Sequence, residues 1–152
     1  MRIERTSRTG AVVTIAEVKA FGNITTTTED TQIQRILNAA LTKVEDISNV
    51  SLGINTLKLY SERLSTFEPL FILPVTSITS VVDYDLGTAI TYTSSNDKTK
   101  VTFGAEYQTV ITYVTAASTD EELKQIAIEL ACAIYDGQEK AVINTILEKI
   151  PR

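Results

Sequence analysis

The chain has 152 residues, 43% of them hydrophobic, a formal net charge of −5 and an isoelectric point near 4.8. This length and hydrophobicity suit one domain with a substantial core and exclude wholesale disorder. The acidic balance excludes a chain that clamps nucleic acid over its whole surface, because phosphate binding needs clustered Lys and Arg.

Residues 1–12 are expected to form a flexible basic arm. Met1-Arg-Ile-Glu-Arg-Thr-Ser-Arg8 is charged and lacks the apolar stretch of a secretory leader. Its arginines Arg2, Arg5 and Arg8 read either as a solvated tail or as a nucleic-acid or partner contact. Residues 13–50 form a helical part. Thr14 and Glu17 have capping-box spacing and predict a short helix to about residue 21. Glu29 and Asp30 suit the positive end of a second helix. Behind them Ile33, Ile36, Leu37, Ala40, Leu41, Val44 and Ile47 recur in steps of three and four, predicting about five amphipathic turns.

Residues 54–115 change period. Pro69 and Pro74 forbid a central helix. Val75 to Val82 alternate, and Ile90, Tyr92, Val101, Phe103, Val110, Ile111, Tyr113 and Val114 supply β-branched and aromatic residues. Four or five short strands are expected, antiparallel because the links are too short for crossovers. Gly87 and Gly104 are expected in turns, and Ser94 to Lys98 at a hairpin tip. Thr119-Asp-Glu-Glu122 predicts a second capping box, opening a core helix over 119–137 with Leu123, Ile126, Ala127, Leu130, Ala131 and Ile134 on its apolar face. Cys132 lies on the same face as a small buried residue. After Gly137, residues 138–152 carry a last stripe: Ile143, Ile146, Leu147 and Ile150 at i, i+3, i+4, i+7. Its groove lies either on the chain's own bundle or on a partner. The fold class is therefore α+β: a small bundle of about four helices with an antiparallel β-region inserted between the second and third, all in one domain.

Chemistry is sparse. There is no histidine and one cysteine, so Ser-His-Asp and Cys-His pairs, HExxH, zinc-finger spacings and an internal disulfide are all excluded. No phosphate-binding glycine loop occurs, and no apolar run reaches the ~20 residues that span a bilayer. No cofactor, metal or membrane is expected. Asp83 and Asp85 are the remaining candidates for a carboxylate-dependent hydrolase, set against a simple turn before Gly87. The expectation is that the protein is not an enzyme; a non-catalytic ligand- or protein-binding module is the alternative.

Over roughly residues 12–140 the order of elements resembles one family, the head–tail connector (adaptor) proteins of tailed bacteriophages. The resemblance is carried by the short helix from Val13 to Phe21 and the acidic start and long helix from Glu29 to Asn49. It continues through Leu70-Phe-Ile-Leu-Pro-Val-Thr-Ser-Ile-Thr-Ser-Val82, the turn Asp85-Leu-Gly87, and Val110-Ile-Thr-Tyr113 before Leu123 to Leu130 and Tyr135-Asp-Gly-Gln-Glu139. The chain departs from the family pattern at Ser118-Thr119, where members often have Pro, at Val114, where Gly often follows the tyrosine, and at Gln138, where Arg is usual. The resemblance implies a structural virion protein, assembled in the host bacterial cytoplasm as a ring, twelve-fold in the family, under the portal protein. The ring would extend the channel through which DNA passes without sequence-specific binding, and would present a surface to the next tail or stopper component. It also implies that the C-terminal stripe docks on the portal or a neighbouring copy.

Overall fold

A computed structural model describes residues 1–151. Along the chain lie β1 (Arg2–Thr9), α1 (Ile15–Gly22), α2 (Asp30–Ser48), β2 (Ile54–Pro69), β3 (Val75–Asp83), β4 (Tyr92–Ser94), β5 (Lys100–Thr115), α3 (Glu121–Tyr135) and α4 (Lys140–Leu147). The fold is α+β, with four helices and an antiparallel β-region between the second and third. The strands form one sheet in the order β1-β2-β5-β3, with β4 on β5.

The expected flexible arm is instead an edge strand. β1 pairs with β2 from Arg2↔Tyr60 to Thr9↔Ile54, with a register shift between Arg5 and Ser7. The physical reason lies in that bulge. Arg5 and Arg8 are an odd number of residues apart, so in a regular strand they would point to opposite faces. The extra residue, Thr6, whose hydroxyl donates to the Thr56 carbonyl, brings both guanidinium groups to the side facing α2. There a buried carboxylate neutralises them, so a segment with the charge of a solvated tail becomes part of the fold.

The strands are also longer than expected. β2 and β5 have 16 residues each and pair along most of their length, with register shifts between Ser61 and Phe67. Bulges bend strands, and the two irregularities between Ser61 and Phe67 place such a bend midway along the pair. Leu57, Leu59, Ile111 and Tyr113 therefore share a core with Leu70, Ile72, Ile90, Val101 and Phe103. Gly104, expected in a turn, lies inside β5 in this bent stretch. A second core lies among the helices, where Val18, Ile33, Leu37, Leu41 and Val44 meet Leu123, Ala127, Leu130 and Ala131.

The caps are local chemistry. Thr14 and Glu17 make the reciprocal capping box. Asn49 ends α2 with φ 57°, its N–H donating to the Glu45 carbonyl, a left-handed role that Asn tolerates. The second expected box, at Thr119–Glu122, does not form: the N-cap is Asp120, one residue later, whose side chain accepts from the Leu123 N–H at 3.1 Å, and leucine at that position has no polar group to reciprocate. Between the two cores, the Asn49–Ser51 segment pairs with Leu73 through Ser51 N–H to Leu73 O and Leu73 N–H to Asn49 O, both 2.7 Å. Beside this joint Ile72 is buried at φ 62°, a conformation costly for a β-branched residue and sustained by its surroundings.

Candidate interaction surfaces

The densest polar constellation is centred on Glu45, a fully buried carboxylate on α2. Both Arg8 and Arg5 pair with Oε1, Arg5 at 3.2 Å. Oε2 accepts from the Leu52 N–H at 2.8 Å and the Asn55 side-chain amide at 2.6 Å. Asn55 and Ser51 then extend the chain of bonds to Thr115 at the end of β5. With both oxygens occupied and no solvent access, Glu45 has nothing left to offer a substrate. It is a clamp joining β1, α2, β2 and β5. Sequence reasoning missed it, although a signal exists: Glu45 stands four residues after Leu41, on the buried stripe.

Arg5 and Arg8, considered for nucleic-acid or partner contact, are thus consumed inside the chain, with side chains only 15% and 9% exposed. Arg2 is separate from them. Its guanidinium lies 4.0 Å from the centre of the Tyr60 ring, is 64% exposed, and approaches Glu4 at 3.9 Å. The three arginines do not form one basic patch.

The C-terminal stripe has a groove within the chain. Ile143, Ile146 and Leu147 are half-buried against the helical core and Ile150 is buried in it at 4% exposure. Lys149 adds a 3.1 Å ion pair to Glu129 of α3. No residue of α4 itself is fully buried, and its N-cap, Glu139, makes no side-chain capping bond.

Asp83 serves a turn. Its Oδ1 accepts from the Asp85 and Leu86 N–H groups at 3.0 and 2.9 Å, and its carbonyl accepts from the Gly87 N–H. Gly87 takes φ 69°, which glycine adopts without strain. Asp85 is exposed and does not join Asp83 in a cleft. Cys132 is buried, donates to the Val18 carbonyl at 3.4 Å, and burial pushes its thiol pKa up, the opposite of an activated nucleophile. Burial likewise pushes the Tyr113 phenol up to about 12; its O–H donates to the Phe71 carbonyl at 2.7 Å.

Two further surface features stand out among the described residues. One is a groove of about 400 Å³ lined by Met1, Ile3, Asp46, Asn49, Phe71 and Ile72. The other is a pair of exposed leucines at the bent end of the sheet, Leu64 at 61% and Leu86 at 77%. The Tyr84 O–H donates to Glu62 at 3.0 Å and links their two segments. Among the described residues no group of three or more His, Cys, Asp or Glu side chains could hold a metal ion, and no helix is long and apolar enough to cross a membrane.

No protein-family model matches the chain, and no curated protein sequence matches it. Solved structures do share its fold. A chain from the neck of an empty gene transfer agent (GTA) particle, computed with C6 symmetry, superposes with a TM-score of 0.68 at 18% identity, covering 98% of this chain and 94% of that one. A chain from the virion of the native GTA particle gives 0.68 at 18% identity, covering 99% and 95%. A chain from the neck of the native particle, computed with C12 symmetry, gives 0.58 at 17% identity, covering 98% and 94%. At such identities the likeness is one of fold, and it runs end to end in both partners.

Proposed function

We propose that this chain is a structural neck protein of a tailed, phage-like particle. It acts as an adaptor: a ring of identical copies beneath the portal that extends the DNA channel and carries the attachment surface for the next tail component. The observation that supports this is the end-to-end likeness to chains from symmetric particle necks, together with the absence of any assembled catalytic constellation at Asp83, Asp85 or Cys132. A ring of many copies follows from head-to-tail interfaces that close at the right rotation. In this reading the work is mechanical and interfacial, and the net charge of −5 keeps the wall from holding exiting DNA.

The proposed portal-facing element is residues 138–152. Its stripe is only partly buried on the chain's own bundle, so Ile143, Ile146, Leu147 and Ile150 can exchange that groove for one on the portal. Imaging of assembled particles tests the ring: density for this fold in six or twelve copies around the neck axis is expected, and one copy, or none at the neck, overturns it. Truncation after Gly137 tests the segment. A chain that stays folded but no longer joins the head is expected; one that unfolds assigns the stripe to the core alone. Retention of particle assembly by Asp83→Asn with Asp85→Asn is expected of a non-enzymatic protein, and a hydrolytic turnover lost in that variant would overturn it.

A further inference from the structure

Among the described residues two carboxylates are completely buried, Glu45 and Glu68, and they are served unequally. Glu45 is met by two arginines, a backbone N–H and a side-chain amide. Glu68, near the end of β2, is met by one hydroxyl: Ser61 donates to its Oε1 at 2.7 Å. Its Oε2 is buried and has no hydrogen-bond partner among the described residues. The Arg63 guanidinium stands 3.6 Å from that oxygen, too far for a hydrogen bond, on a side chain that is 62% exposed. A pair held from the solvent side is weak, whereas a buried carboxylate short of donors is costly.

A second orphan lies beside the first. The Thr109 Oγ1 is also buried and without a partner among the described residues. Thr109 stands directly opposite Ser61 across β2 and β5. The two continue a row of inward-facing pairs, Leu57 with Tyr113 and Leu59 with Ile111. By strand alternation both hydroxyls therefore point inward, side by side. Glu68 reaches the same place from beyond the bend, because Ser61 and Glu68 flank the two register irregularities of β2. The proton of Ser61 is committed to Glu68, which leaves its lone pairs free. A charged oxygen and two hydroxyl oxygens thus gather at one buried point. Oxygen donors alone are the set that suits a hard cation. One carboxylate balances one positive charge, whereas tight calcium sites draw on several.

We propose that Ser61, Glu68 and Thr109 bind one monovalent cation, sodium or potassium, which pins the bend of β2 and β5. Exposed Leu64 lies within the pinned stretch, so its placement depends on the ion. The site is independent of the neck reading and is tested without particles. The isolated chain is melted at constant ionic strength while choline chloride is replaced stepwise by sodium or potassium chloride. Choline carries the same charge but is too large for a buried site. A saturable rise in melting temperature of about 3 °C or more is expected with at least one of the two salts. Glu68→Gln is expected to abolish it. Thr109→Val keeps the side chain's shape and removes the orphan hydroxyl. It is expected to raise the midpoint salt concentration by about tenfold without lowering the melting temperature in choline. No rise in the unaltered chain overturns the site and leaves Arg63 as the counter-charge of Glu68. A rise that survives Glu68→Gln also overturns it, as does one given by calcium chloride and by neither monovalent salt. Should Glu68→Gln fail to fold, Thr109→Val still decides, since an unchanged midpoint overturns the site.

Discussion

At the scale of single residues, the clamp around Glu45 separates structural arginines from a surface one. Removing one partner of a buried ion pair leaves an uncompensated charge and costs about 3–5 kcal/mol. Glu45→Ala is therefore expected to lose that much in chemical denaturation, because Arg8 would lose its counter-charge and Arg5 would keep only the exposed Asp46 at 3.7 Å. Arg2→Ala, at an exposed cation–π contact, is expected to cost under about 1 kcal/mol. Equal costs at the two positions would show that the clamp is not the source of β1's anchoring. Tyr113 gives a second expectation. Its folded pKa is raised from 10 to about 12 by burial, so the folded state holds the phenolic proton more tightly than the unfolded chain does. Its contribution is whole below pH 10 and is lost as pH rises toward 12. Tyr113→Phe should flatten the fall in stability across that window and, by orphaning the Phe71 carbonyl, cost about 1–3 kcal/mol at neutral pH.

At the scale of elements, the helices are not held equally. α3 buries eight residues, whereas α4 is attached by three half-buried side chains and the buried Ile150 that follows it. Those four contribute roughly 4–7 kcal/mol gross. Ordering the eight residues of α4 costs about 8 kcal/mol or more in backbone entropy, so the helix stands near balance. Hydrogen exchange is expected to find α4 amides opening well below the global unfolding free energy and α3 amides near it. Equal protection would place the C-terminal segment firmly in the core and remove the basis for its transfer to a portal. β1 is expected to behave oppositely to a tail: despite its position at the terminus and the sheet edge, its pairing with β2 and the Glu45 clamp should protect its amides.

For the whole molecule, charge and topology point the same way. The net charge is −5, and pairing of Arg5 and Arg8 with Glu45 keeps the three N-terminal arginines from forming one basic stripe along phosphates. The isolated chain is expected to bind duplex DNA more weakly than about 1 µM at physiological salt, in or below the ordinary non-specific range. Fluorescence anisotropy across a salt series checks this; tighter binding that weakens steeply with salt would overturn the proposed role as a passive channel wall. The two cores, one among helices and one inside the curled sheet, meet at the Asn49–Ser51 joint and the Glu45 network. Substitutions at that junction are accordingly expected to affect both halves together.

The sequence by itself determined what depends on neighbours along the chain. The three- and four-residue steps of α2 and α3, the Thr14–Glu17 box, the turn before Gly87 and the α+β order all follow from local periodicity and capping, which need no distant partner. The absence of histidine likewise excluded histidine-based sites without coordinates. What only the tertiary structure decided depends on contacts far apart in sequence. Arg5 and Arg8 read as a solvated arm because nothing local shows that a bulge at Thr6 turns both toward a carboxylate forty and thirty-seven residues away on α2. The length of β2 and β5 was hidden because bulges interrupt the alternation that marks a strand. The C-terminal stripe was legible as apolar, but its groove on the helical core was not, since periodicity shows that a face must be covered and never what covers it.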